Sequence, residues 1–144
     1  MQNLLLVAVG GALGASTRYG VGITAGRLFG LAYPWGTLLV NLVGCFLMGI
    51  VGQWLLNLEA APDVRNVADK LPTPTDALAQ AASLRSLVAI GFLGGLTTFS
   101  AFGWDTFRQL EAGRPTLALA NVSANLLLSL LAVWAGATLV RSVS

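Results

Sequence analysis

Gly94-Gly95-Leu96-Thr97-Thr98-Phe99-Ser100-Ala101-Phe102 puts helix-breaking glycines, two threonines and a serine inside an apolar run long enough to cross a bilayer. That placement is costly, because backbone groups freed in hydrocarbon have no water to bond to. The run around it, roughly Ser86–Phe107, is one of four. The others are Asn3–Gly26, Trp35–Leu58 and Thr116–Val140, and each reaches the roughly 20 residues that a helix needs to span about 30 Å of hydrocarbon. With 56% hydrophobic and only 10% charged residues, the whole chain belongs to the membrane class rather than among soluble domains.

The fold class expected is therefore an all-α membrane protein. Residues 1–144 form a single four-helix transmembrane domain with spans at about 3–26, 35–58, 86–107 and 116–140. The connection 59–83 reads as an exposed loop, since Glu59, Asp63, Asp69 and Asp76 alternate there with Arg65 and Lys70, and Pro62, Pro72 and Pro74 punctuate it. A short helix near Asp76–Ala82 leads toward the third span. Four spans return both termini to one side. No Lys or Arg precedes the first run and it exceeds a signal's apolar core, so it is expected to be retained.

Several chemistries are excluded by what the chain lacks. There is no histidine, the commonest general base and proton relay. No Asp or Glu occurs from Met1 to Leu58, and none lies near the centre of the third or fourth run, so proton-coupled transport has no obvious carrier. The one cysteine, Cys45, has no partner for a disulfide and reads first as a small packing residue. Glycine pairs such as Gly10-Gly11 lack the strand that a phosphate loop requires. Neither an enzyme nor a nucleic-acid-binding protein is indicated.

Charge gives little orientation signal. On these spans the side with the termini holds Arg65, Lys70, Arg85 and Arg141, and the other side holds Arg18, Arg27, Arg108 and Arg114. Because orientation follows the Lys/Arg excess, insertion both ways round is expected. One chain of four helices leaves little room for a lined pathway, so conduction would involve an oligomer. Glycines four apart, Gly10 and Gly14, Gly22 and Gly26, Gly26 and Gly30, and Gly91 and Gly95, offer close helix approach either within the chain or between chains.

Polar residues within the spans are more selective. Asn121, Asn125 and Ser129 recur every four positions, forming one stripe on the fourth helix, and Asn41 stands alone in the second. Buried amides need partners, so these face other helices as hydrogen-bonding glue or line a hydrated route. Their N–H and O–H groups, with no fixed negative charge among them, suit a small anion. Phe99 and Phe102 share a helix face, as core residues or with their electropositive ring edges turned to an anion that must not bind too tightly.

Three blocks carry a family resemblance: Gly10-Gly11-Ala12-Leu13-Gly14-Ala15-Ser16-Thr17-Arg18-Tyr19, Gly36-Thr37-Leu38-Leu39-Val40-Asn41-Leu42-Val43-Gly44, and Gly91-Phe92-Leu93 running into the nine residues quoted first. Together, in this order, the chain resembles the small bacterial fluoride channels, the Fluc or CrcB family, over nearly its whole length. The resemblance implies four helices per subunit with a break in the third, assembled as an antiparallel dual-topology homodimer in the cell (inner or plasma) membrane. It further implies two fluoride pores and a structural sodium ion on the dimer axis. Carried over, the sodium ligands are main-chain oxygens of Gly94 and Thr97, the pore aromatics are Phe99 and Phe102, the pore asparagine is Asn41, and Arg18 takes an electropositive or structural role. Such channels let fluoride leave passively after hydrogen fluoride has entered and dissociated. Family members often carry a tyrosine and then serines on the fourth helix, where this chain has Asn121, Asn125 and Ser129. The 59–83 loop is also longer than the family pattern suggests.

Two other readings remain at this stage. A small dual-topology multidrug exporter shares the size and charge balance but needs a central membrane carboxylate. A non-transporting membrane scaffold subunit would need only the glycine faces and polar glue.

Overall fold

A computed structural model describes residues 1–60 and 76–143; most of the 59–83 connection falls outside these. Four helical stretches are long and apolar enough to cross a membrane: Gln2–Phe29, Trp35–Ala60, Ala79–Glu111 and Pro115–Val143. Each overruns the apolar stretch read from sequence by a few residues. At 1.5 Å per residue a helix of 28 residues is about 42 Å long, so its ends reach through the headgroup layer, where polar side chains are tolerated.

The first two helices are α1 (Gln2–Phe29) and α2 (Trp35–Ala60). The third path begins as an ordinary helix at Asp76–Leu84, widens to π-helix over Arg85–Leu93 and closes with one turn at Gly94–Leu96; residues 76–96 together are α3. The expected short helix before the third span is thus its first two turns. After extended backbone at Thr97 and Thr98, the path resumes as α4 (Phe99–Glu111). The last helix, α5 (Pro115–Val143), starts with proline at its first position, where no N–H is needed, and contains a π-helical stretch at Ala124–Leu128. Gly30 (φ 80°) ends α1 and Gly113 (φ 67°) turns the chain from α4 into α5, backbone conformations that only glycine adopts cheaply.

Packing is dominated by two helix pairs, α1 with α3 and α2 with α5. Glycine makes both possible. A Cβ at Gly10 or Gly14 would collide with the carbonyl oxygens of Leu87 and Phe92, and one at Gly95 would stand 2.7 Å from Gly11 O. On the other pair, Gly49 faces the Val133 carbonyl and Gly136 faces that of Phe46. Gly10 and Gly14 of α1 and Gly91 and Gly95 of α3 therefore serve packing inside one chain, as close backbone approach does in lipid generally. Gly22 is met by Gly36 of α2, whose Cβ position lies 2.8 Å from it. Between the pairs, Val40, Leu93 and Leu96 form a buried centre, ringed by Leu47, Met48, Val88 and Phe92.

Candidate ion pathway

The break in the third path is held by α2. Thr97 (φ −80°, ψ 155°) and Thr98 (φ −154°, ψ 115°) are extended, so the ladder of i→i−4 bonds stops there. Asn41 takes over both exposed edges of Thr98: its Oδ1 accepts from Thr98 N–H at 2.8 Å, and its Nδ2 donates to Thr98 O at 3.2 Å. Gly44, one turn further along α2, leaves the space that the Thr97 methyl fills. Thr98 then caps α4, its hydroxyl accepting from Ala101 N–H at 3.2 Å.

These substitutions release two particular carbonyls. In an unbroken helix Gly94 O would accept from Thr98 N–H and Thr97 O from Ala101 N–H. Here the first donor goes to Asn41 and the second to the Thr98 hydroxyl. Arg18, partly buried in α1, reaches Thr97 O with Nη1 at 3.4 Å. The two oxygens that the family resemblance implies as cation ligands are thus both stripped of their helical donors, and carbonyl oxygens suit a hard cation.

The asparagines form one continuous chain. Asn41 Nδ2 also donates to Asn125 Oδ1 at 2.9 Å; Asn125 Nδ2 donates to Asn121 Oδ1 at 2.9 Å and to Asn121 O at 3.1 Å. Asn121 Nδ2 donates to Thr106 Oγ1 at 2.9 Å and more weakly to Phe102 O at 3.5 Å. All three amides spend their N–H groups on protein acceptors. Asn121 is wholly buried and Asn125 is 5% exposed, so in the folded chain the stripe ties α5 to α2 and α4. The Asn125 amide on the Asn121 carbonyl inserts into the helix ladder where α5 widens, a recognised cause of such distortion.

Beside this chain lies a cleft of about 250 Å³, walled by Asn41, Cys45, Phe99, Phe102, Asn125 and Ser129 among others. Ser129 continues the stripe, but its Oγ is buried with no protein partner. The two phenylalanine rings meet at 5.3 Å between centroids and 58° between planes. Their surroundings differ: Phe102 is 7% exposed and Phe99 78%. Cys45, read from sequence as a packing residue, is one wall of the cleft.

A second hollow of about 300 Å³ opens at the end of the molecule where α1 meets α2 and α4 meets α5. Thr37 donates to Asp105 Oδ2 at 2.7 Å in its floor, and Gln109 Nε2 donates to Ala32 O at 3.0 Å. Burial lifts the phenol pKa of Tyr33, in the same wall, above its ordinary value. Sequence reading passed over Thr37 and Asp105. Spacing could have found them: Thr37 is one turn before Asn41 and Asp105 three residues after Phe102, on the faces already in question.

Comparison with known proteins settles the family. The profile described as "CrcB-like protein, Camphor Resistance (CrcB)" matches residues 5–137, nearly the whole chain. The chain belongs to the CrcB family. Among CrcB relatives, the "Fluoride-specific ion channel FluC" of Rhizobium etli is 40% identical over 143 residues, covering 99% of each chain. The protein of the same name from Citrifermentans bemidjiense is 37% identical over 143 residues, covering 99% of this chain and all of its own. That of Rhizobium meliloti is 38% identical over 144 residues, covering 99% of each. These relatives match end to end, so a chain of this length is ordinary for CrcB proteins. With four helices able to cross a membrane, this CrcB chain is a multi-pass membrane protein.

Proposed function

We propose that the protein is a fluoride-selective ion channel of the plasma membrane that lets fluoride leave the cell passively, without catalytic chemistry. It works as an antiparallel homodimer of oppositely inserted subunits. The observation that carries this reading is the break at Thr97–Thr98, which strips donors from two carbonyls on one side and starts the helix bearing Phe99 and Phe102 on the other. Full-length similarity to proteins named as fluoride-specific channels supports it.

The cleft is the anion path. Ser129 Oγ, buried and unpartnered, is the hydroxyl donor available there. Phe99 and Phe102 add ring edges, which attract an anion weakly enough for it to leave. Asn41 and Asn125 act in the same wall by fixing its shape, with Asn121 buried behind them, since the N–H groups of all three are already committed. Main-chain oxygens of Gly94 and Thr97 from both subunits would hold a structural sodium ion on the dimer axis. Bound there, sodium would supply positive charge that offsets the cost of bringing an anion into low dielectric. Arg18, on Thr97 O, fixes the orientation of that carbonyl and adds positive charge at the break.

The decisive experiment uses purified protein in liposomes loaded with fluoride or chloride, with release followed by ion-selective electrodes. Rapid fluoride release with negligible chloride release is expected. Absence of fluoride flux would overturn the reading, and pH-driven ethidium transport in its place would make the protein an exporter.

A further inference from the structure

The floor of the hollow between the α1–α2 and α4–α5 turns is short of hydrogen-bond donors. Gln109 lines it and is 6% exposed; its Nε2 is spent on Ala32 O, but its Oε1 is buried without a partner. A buried amide oxygen calls for an N–H or O–H. One turn earlier on the same face of α4, Asp105 accepts from the Thr37 hydroxyl through Oδ2 alone, so its other oxygen is free among the described residues. Tyr33 and Trp35, with ring centroids 4.8 Å apart, stand in the same wall, and aromatic faces attract an ammonium. Arg108 and Arg114 also line the hollow, exposed and, among the described residues, in no ion pair. Acceptors beside guanidiniums suit a ligand that carries an ammonium and a phosphate together.

The position of the hollow says where such a ligand comes from. Its walls are the ends of α1 and α4 and the starts of α2 and α5, so it lies at the level of lipid headgroups. A separate apolar groove of about 310 Å³ runs along α1, lined by Thr17, Gly20, Thr24, Leu28 and Phe29 with Leu39 of α2. The two threonine hydroxyls are spent on Leu13 O and Gly20 O, which leaves the groove without free polar groups of its own. From Thr17 to Leu28 is about 16 Å along the helix, roughly half of a 30 Å hydrocarbon core. That is the depth of one leaflet. The Phe29 ring of the groove meets the Trp35 ring of the hollow at 5.7 Å between centroids, so the two spaces adjoin.

We infer that hollow and groove together form a binding site for one phospholipid whose headgroup bears a primary amine. The ammonium meets the Asp105 carboxylate and draws Gln109 Oε1 into a hydrogen bond, the phosphate meets Arg108 and Arg114, and one acyl chain lies along α1. The amine is the selective group. Basic side chains alone would take any anionic lipid, whereas only a headgroup with N–H donors satisfies the floor. The site does not depend on the channel activity.

Calorimetric titration of purified, delipidated protein in detergent with dioctanoyl phospholipids tests it. Dioctanoyl phosphatidylethanolamine should bind about ten-fold more tightly than the phosphatidylcholine, whose quaternary ammonium donates no hydrogen bond, or the phosphatidylglycerol, which has no ammonium; that is the worth of one charge-assisted hydrogen bond. Asp105→Asn should cut the preference to about two-fold or less without weakening phosphatidylglycerol, and Asp105→Glu should retain it. Gly20→Leu, at a position where an added Cβ meets nothing within 4 Å, should fill the groove and weaken the ethanolamine lipid about ten-fold, as the loss of roughly two buried CH2 groups does. Free O-phosphoethanolamine should bind more weakly than the lipid and be indifferent to Gly20→Leu. Equal affinity of wild type for the ethanolamine and choline lipids, or for the ethanolamine and glycerol lipids, would overturn the inference whatever the variants do. So would a preference that survives Asp105→Asn. Free O-phosphoethanolamine binding as tightly as the lipid would overturn the lipid in favour of a soluble ligand.

Discussion

Asn41 shows how much one side chain does at the break. It satisfies Thr98 N–H and Thr98 O and still donates to Asn125, so its removal leaves backbone groups unpaired in hydrocarbon. Interhelical bonds in membranes are worth about 0.6–1.7 kcal/mol each, and Asn41→Ala should cost about 2–3 kcal/mol in all. A detergent melt followed by tryptophan fluorescence measures this, and a variant melting with wild type would mean that Asn41 does not hold the break. Phe99 and Phe102 separate by burial. Either substitution to Ile should abolish or strongly reduce fluoride efflux, but only Phe102→Ile, at a site 7% exposed, should also lower the melting temperature, by roughly 1 kcal/mol of stability. Unchanged efflux in both variants would remove the rings from the path.

At the scale of elements, glycines that look alike in sequence divide sharply. Gly14→Ala drives a Cβ into the Phe92 carbonyl, a backbone atom that cannot swing aside, and should destabilise the α1–α3 pair by about 1–3 kcal/mol. Gly94 is different. Its added Cβ would meet only Ala89 O at 3.8 Å, and its φ of −64° is helical, so alanine there should leave the isolated chain as stable or slightly better. If Gly94→Ala nevertheless lowers the dimer fraction in crosslinking, what it obstructs lies outside the chain, as a site shared by two subunits on their axis requires. An unaffected dimer would show that no second subunit approaches Gly94 closely. The third path was legible as one span with glycines in it. Its widening over Arg85–Leu93 was not, because an i→i−5 ladder has no residue signature of its own and depends on what the neighbouring helix permits.

For the whole molecule, the charge count sharpens once Arg18 is placed. It lies within α1 and reaches the break, leaving Arg27, Arg108 and Arg114 at one end against Arg65, Lys70, Arg85 and Arg141 in the sequence toward the other. Three against four gives no net direction for insertion. A cysteine-reactive tag placed at the C-terminus should be labelled from both faces of sealed vesicles in comparable amounts; labelling from one face alone would rule out dual topology. The aromatic side chains of α4 at Phe99, Trp104 and Phe107 are 78%, 60% and 50% accessible and point away from the rest of the chain.

Composition and apolar run length by themselves determined that the chain is helical and crosses the membrane four times, since hydrocarbon tolerates few other backbone arrangements. The three glycine-rich blocks carried the family. The stripe Asn121, Asn125, Ser129 was legible as one face of one helix, but not what it faced. Only the tertiary structure decided that two of its members are bound into a chain running from Asn41 to Thr106 while the third keeps an unspent hydroxyl buried beside the cleft. Periodicity fixes which residues share a face, whereas hydrogen-bond donors are divided up between helices, and that division depends on how the helices meet.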